Sequence, residues 1–123
     1  MTSQSNRPTS PHLQAYKLPL TAVISISHRI TGVLLSAGLV ITVYMIVATS
    51  DGENSYHAMQ ALLSSWLLRP FYWGFIFALF FHLCHGVRHL IWDAGYGFEH
   101  GTLKKYAMIE IVISVTLALA ALV

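Results

Sequence analysis

The stretch whose reading decides the fold is PFYWGFIFALFFHLCHGVRHLIWD, Pro70 to Asp93. Pro70 to Phe81 carries no charged residue, and then His82, His85, Arg88 and His89 follow in quick succession. Ionisable groups find nothing to bond to in hydrocarbon. In a membrane span they therefore face a bundle interior and mark a functional site.

Working outward, the rest of the chain supports a span. Of its 123 residues, 55% are hydrophobic and only 10% are charged, where a soluble domain carries about a quarter. Mean hydropathy is +0.60. Ile30 to Ala48 contains no charged residue, and Tyr106 to Val123 contains Glu110 alone. At ~1.5 Å per residue these lengths cross a hydrocarbon core of roughly 30 Å. The expected class is an all-α membrane protein with three transmembrane helices, at about 20–48, 69–92 and 106–123. They follow a cytoplasmic arm at 1–19 and form one membrane-anchor domain. Three spans enclose little interior, so a partner within the lipid membrane is expected.

Pro8 and Pro11 argue against helix in the arm, while Pro19 and Pro70 suit first helical turns. The N-terminus reads neither as a cleaved signal nor as an Arg-rich transit peptide. Thr49 to Ser65 reads as a short loop, and Trp66, Tyr72 and Trp73 suit an interfacial belt. Gly32, Ser36, Ala37 and Gly38 offer small surfaces for close helix packing. Arg7, Lys17 and Arg29 accompany the N-terminus, and Arg88, Lys104 and Lys105 flank the glycine-rich second loop. The first loop carries Asp51 and Glu53, with Arg69 only at its far edge. The N-terminus and second loop are thus expected in the cytoplasm. The expected location is the bacterial inner membrane, with the mitochondrial inner membrane second. The basic residues form no patch for nucleic acid, and the lone Cys84 excludes an internal disulfide.

Seven positions at ~100° each return to within about 20°, so His82 and His89 share a stripe, and His85 lies about 60° off it. If Asp93 marks the boundary, His82 lies about 16 Å inside, near the midplane. Three uses fit. Haem b needs a neutral imidazole at depth, room for the ring and cations toward the surface. His82, Gly86, and Arg88 with His89 supply these, and His28 and Arg29 occupy the same end of the first helix. A metal or proton channel through His82, His85 and His89 is the second use, although the helix has no carboxylate before Asp93. Plain packing of histidines against other helices is the third. With haem, the chain has only one midplane histidine, so a second axial ligand must come from another polypeptide or another copy.

Ser25 and Arg29 share a helix face about 6 Å apart along the axis. They suit the carbonyl of a quinone head group. The plainer readings are a snorkelling topology anchor for Arg29, and hydroxyls bonded back to their own helix for Ser25 and Ser27. Glu110 is expected to be paired or to reach the interface.

Three segments in order, RPTSPHLQAY (Arg7 to Tyr16), SISHRITG (Ser25 to Gly32) and HLCHGVRHLIWD (His82 to Asp93), resemble the larger cytochrome b membrane anchor of succinate dehydrogenase, respiratory complex II. The resemblance spans essentially the whole chain. It implies His82 as axial ligand to the haem iron, from the pattern His, three residues, Gly, one residue, Arg-His. The second ligand would come from a small membrane anchor subunit. Ser25 and Arg29 would border a ubiquinone site, with His28 and Arg29 near the haem propionates and His89 near the haem edge. The N-terminal arm would pack on an iron–sulfur subunit, which links to a flavoprotein subunit. One departure is His85, a second imidazole at a variable position of the pattern; the spacing to Gly86 favours His82. This chain lacks flavin, nicotinamide and cysteine-cluster motifs, so it would not oxidise succinate alone. Two alternatives stand beside this reading: the anchor of a quinol:fumarate reductase, and a non-redox histidine-containing transporter or scaffold.

Overall fold

The computed structural model describes residues 16–123. The expected arm lies mostly outside them. Four helices follow in order: α1 Leu20–Ser50, α2 Glu53–Leu63, α3 Arg69–Asp93 and α4 His100–Leu122, with no strand among the described residues. Three of these, all but α2, are long and apolar enough to cross a membrane. The all-α, three-span expectation holds.

Pro19 holds an extended conformation (φ −65°, ψ 152°) and its carbonyl accepts from Ala22 and Val23, opening α1. At ~1.5 Å per residue, the 31 residues of α1 reach about 46 Å, more than a roughly 30 Å core needs. Small residues on α1 let α3 approach. A Cβ at Gly38 would lie 1.9 Å from Cε2 of Phe75, and one at Gly32 would lie 3.0 Å from Cε1 of His82. Of the four small residues noted in the sequence, these two face α3, whereas Ser36 and Ala37 are exposed.

Two element boundaries differ from the sequence expectation. The segment 49–65 is not simply a loop. Gly52 turns at φ 116° and α2 follows, with Glu53 in its first turn and Met59 buried. Strong helix formers from Ala58 to Leu63 carry it, and its polar content conceals this from a hydropathy reading. The last helix starts at His100, six residues before Tyr106. Its first turns hold Gly101, Lys104 and Lys105, which read as turn residues although they continue the helix.

Pro70 sits in the first turn of α3, as expected. The helix closes when Tyr96 N–H donates to the Ile91 carbonyl (3.2 Å) and Gly95 N–H to that of Trp92 (2.8 Å), with Gly95 at φ 88°. This is a Schellman closure, which needs a left-handed residue and so favours glycine. It turns the chain back so that α4 packs on α3.

α3 is central, touching both α1 and α4, and α1 also touches α4. Ile24, Phe81 and Ala107 form a small apolar core, joined by Leu20 and Ile111. Only 11% of the most apolar window of α1 is buried within the chain. Val33, Leu39, Val40 and Ile46 are largely exposed. In lipid such a face is stable, and it leaves α1 free to pack on another span.

Candidate functional site

The α1–α3 and α3–α4 seams bring His28, Thr31, His82, His85, Arg88, His89 and Glu110 together. Helical phase separates the α3 histidines. His82 faces α1, and His85 lies between α1 and α4, its ring 4.6 Å from that of His28 and bonded to Glu110.

His82 Nδ1 lies 3.2 Å from the His28 carbonyl oxygen and 3.2 Å from Thr31 Oγ1. The Thr31 hydroxyl donates its own proton to that same carbonyl, at 2.9 Å. Both groups therefore act as acceptors toward His82. The proton belongs on Nδ1, and Nε2 keeps its lone pair. No hydrogen bond among the described residues engages Nε2. A fixed Nδ1–H with an open Nε2 is the tautomer that metal-ligating histidines adopt. Stacking of the His28 ring on His82, centroids 3.9 Å apart and 16° from parallel, adds to the fixing.

His85 is 1% exposed and its Nδ1–H donates to Glu110 Oε1 at 2.8 Å. Arg88 donates from Nη1 to Glu110 Oε2 (3.0 Å) and from Nη2 to the Leu103 carbonyl (2.8 Å). Its guanidinium carbon also lies 4.6 Å from the Trp92 ring centroid. Arg88 and Glu110 are 6% and 5% exposed. A buried charge is tolerable when it is both paired and hydrogen-bonded, and here both carboxylate oxygens and two guanidinium nitrogens are used. Glu110 is thus paired rather than reaching an interface. Sequence reasoning did not join it to His85 and Arg88, because the partners lie 25 and 22 positions away across the α3–α4 turn.

His89 is half-buried, its ring 4.7 Å from His85 and 5.1 Å from Trp92. One ring nitrogen from each of His28, His85 and His89 lies within 4.8 Å of the others. His28 Nε2 and His85 Nε2 are buried without a hydrogen-bond partner. The channel-like set read from α3 alone, His82 with His85 and His89, is not the set that converges; His28 replaces His82.

Arg29 is exposed and Ser25 half-buried at the N-terminal end of α1. Most described hydroxyls in the helices, Ser36, Thr42, Thr49 and Ser114 among them, donate back to a carbonyl one turn earlier. Ser25 and Ser27 make no such bond, and Arg29 pairs with no acidic group among the described residues. Among the described residues, no side-chain hydrogen bond engages Ser25 or Arg29. Gly86 has open space where a side chain would stand. His57 lies away from this site on α2, exposed and 3.6 Å from Glu53.

Comparison with known proteins adds an independent line. The family described as succinate dehydrogenase/fumarate reductase transmembrane subunit matches residues 3–121. The chain is 41% identical over 121 residues to the succinate dehydrogenase cytochrome b556 subunit of Paracoccus denitrificans, covering 98% of this chain and 93% of that one. It is 36% identical to the subunit of the same name from Rickettsia felis (94% and 90% covered). Identity to the mitochondrial cytochrome b560 subunit of Sus scrofa is 34% (90% and 67% covered). Three apolar spans, the open-sided bundle and these matches agree: the chain belongs to the succinate dehydrogenase/fumarate reductase transmembrane subunit family.

Proposed function

We propose that this chain is the haem b-binding membrane anchor of a succinate dehydrogenase, and that it helps form the site where ubiquinone is reduced. The observation that carries this reading is the state of His82: Nδ1–H committed to two acceptors, Nε2 open, and the ring held between Gly32 and His28. The residues fit the group. His82 would hold the iron through Nε2, Gly86 leaves space on the same helix, and His28, Arg29 and His89 offer donors for propionates and ring edge. When bound, haem b supplies reversible one-electron chemistry. The relatives' names, cytochrome b556 and b560 subunit, support the same assignment.

The protein's own contribution is positional and electrostatic. Thr31 and the His28 carbonyl fix the tautomer and tilt of His82. Ser25 and Arg29 donate to a quinone carbonyl and stabilise the negative charge that develops there as it is reduced, an effect that low dielectric strengthens. The positive-inside distribution supports a cytoplasmic position for this end of α1, the side from which protons would reach the quinone. A small anchor subunit would supply the other ligand to the iron and would cover the exposed face of α1. The iron–sulfur subunit docks on the N-terminal arm and brings electrons from the flavoprotein. The residues fit a quinol:fumarate reductase anchor equally in kind; the names of the relatives favour succinate oxidation.

Arg29→Leu tests the quinone role. In the assembled complex it is expected to lower succinate-to-quinone electron transfer by about 100-fold, the cost of removing one donor from developing charge. Succinate oxidation with a soluble dye should be unchanged. Normal quinone reduction in this variant would reject the assignment.

A further inference from the structure

At the end of the bundle away from His28 and Arg29, α2 carries a face that neither the haem nor the quinone reading uses. At ~100° per residue, Tyr56, Met59, Leu62 and Leu63 fall within about 120° of arc, with Glu53, Asn54 and His57 opposite them. Met59 is 4% exposed, and α2 packs on α1. The flanks of the same stripe stay open, Tyr56 at 37% and Leu62 at 50% exposed. Gln60 donates to the Tyr56 hydroxyl at 2.6 Å, which keeps the polar end of that ring at the rim of the stripe. Glu53 and His57 lie 3.6 Å apart on the far side, both exposed. Beyond α2, Trp66 and Phe71 extend the apolar surface at 86% and 71% exposure.

We propose that α2 is an interfacial helix lying in the headgroup layer of the membrane, its apolar stripe against acyl chains and Glu53 and His57 toward water. The occupant of the stripe is lipid, because the helix is tethered on both sides to a membrane span. Ile30 to Ala48 measures about 28 Å at ~1.5 Å per residue, close to a roughly 30 Å core. The membrane boundary therefore falls in the last turn of α1. Only Asp51 and Gly52 separate that helix from α2. On the other side, the Leu68 and Arg69 N–H groups donate to the Ser65 carbonyl, a tight turn that leads directly into α3. Both tethers hold α2 at the depth where Trp and Tyr side chains gather. α2 contains no lysine or arginine. Burial of its stripe holds it there, without attraction to anionic headgroups, so zwitterionic lipid suffices. This placement rests on the spans and stands apart from the haem and quinone readings.

The test places nitroxide spin labels on the assembled complex in phosphatidylcholine nanodiscs. Tyr56→Cys, Leu62→Cys, Asn54→Cys and His57→Cys are made singly in a Cys84→Ser background. The signal of that background, treated with the same label, is subtracted. Collision with oxygen, which concentrates in lipid, is compared with collision with a water-soluble nickel chelate. The oxygen-to-nickel ratio should be several-fold higher at Tyr56→Cys and Leu62→Cys than at Asn54→Cys and His57→Cys. If Tyr56→Cys fails to assemble, Leu62→Cys against His57→Cys decides. Equal ratios at all sites would overturn the proposal. Exclusion of both reagents from Leu62→Cys would show a protein covering the stripe, and would overturn it as well.

Discussion

Glu110→Ala is expected to destabilise the subunit by about 3–5 kcal/mol, the cost of leaving one member of a buried ion pair unpaired. Arg88 would remain at 6% exposure with its main counter-charge gone, held only by the Leu103 carbonyl and the Trp92 face. His85 would lose the acceptor for its Nδ1–H in the same step. The pair itself contributes less than its loss costs, because bringing both charges out of water offsets most of their attraction. The double replacement Arg88→Met/Glu110→Leu should therefore recover part of the stability that Glu110→Ala removes, the remainder being the cost of His85 Nδ1–H left without its acceptor. Thermal unfolding of the detergent-solubilised complex, followed by release of this subunit, measures both. A Glu110→Ala complex as stable as wild type would mean that the network does not hold α3 to α4.

The second large effect concerns Thr31. Thr31→Val removes one of the two acceptors that fix His82 Nδ1–H and leaves a methyl group against the ring. Changes in groups that orient a ligating histidine typically cost 10–100-fold in affinity. The lower end, about 10-fold, is expected here because the His28 carbonyl remains. The measurement is the rate of haem transfer from the complex to an excess of apoglobin. Thr31→Ser keeps the hydroxyl and should behave as wild type. Equal haem retention in Thr31→Val would show that the contact does not orient the ligand.

These effects also show which parts were legible in the residues. The three spans and the first-turn Pro70 were, because hydropathy over 18 or more residues and a missing N–H are local properties, whereas Pro19 stands one position outside its helix as the N-cap. α2 was not, because an 11-residue helix with a polar face looks like a loop to the same reading. The start of α4 was hidden by Lys104, Lys105 and Gly101, which mark a membrane boundary but do not break a helix. Among the site residues, the division of α3 into a stripe with His82 and His89 and an offset His85 follows from a period of ~3.6. Which neighbour each faces does not. The Thr31–His82 contact spans 51 positions, and no spacing rule connects them. The role of Gly32 was similarly hidden. Its size marks it only as a packing residue, and the structure places His82 directly against it.

The central claim, that His82 and not His85 is this chain's ligand to haem iron, is tested most directly by one measurement. Reduced-minus-oxidised visible spectra would be taken of the assembled complex carrying His82→Leu, His85→Asn or neither. Wild type should show a b-type band, His85→Asn should keep it, and His82→Leu should lose it or shift it. His82 has its Nδ1 satisfied and its Nε2 open, while His85 is anchored to Glu110 against α4. An unchanged band in His82→Leu, or its loss in His85→Asn with the complex intact, would contradict the assignment.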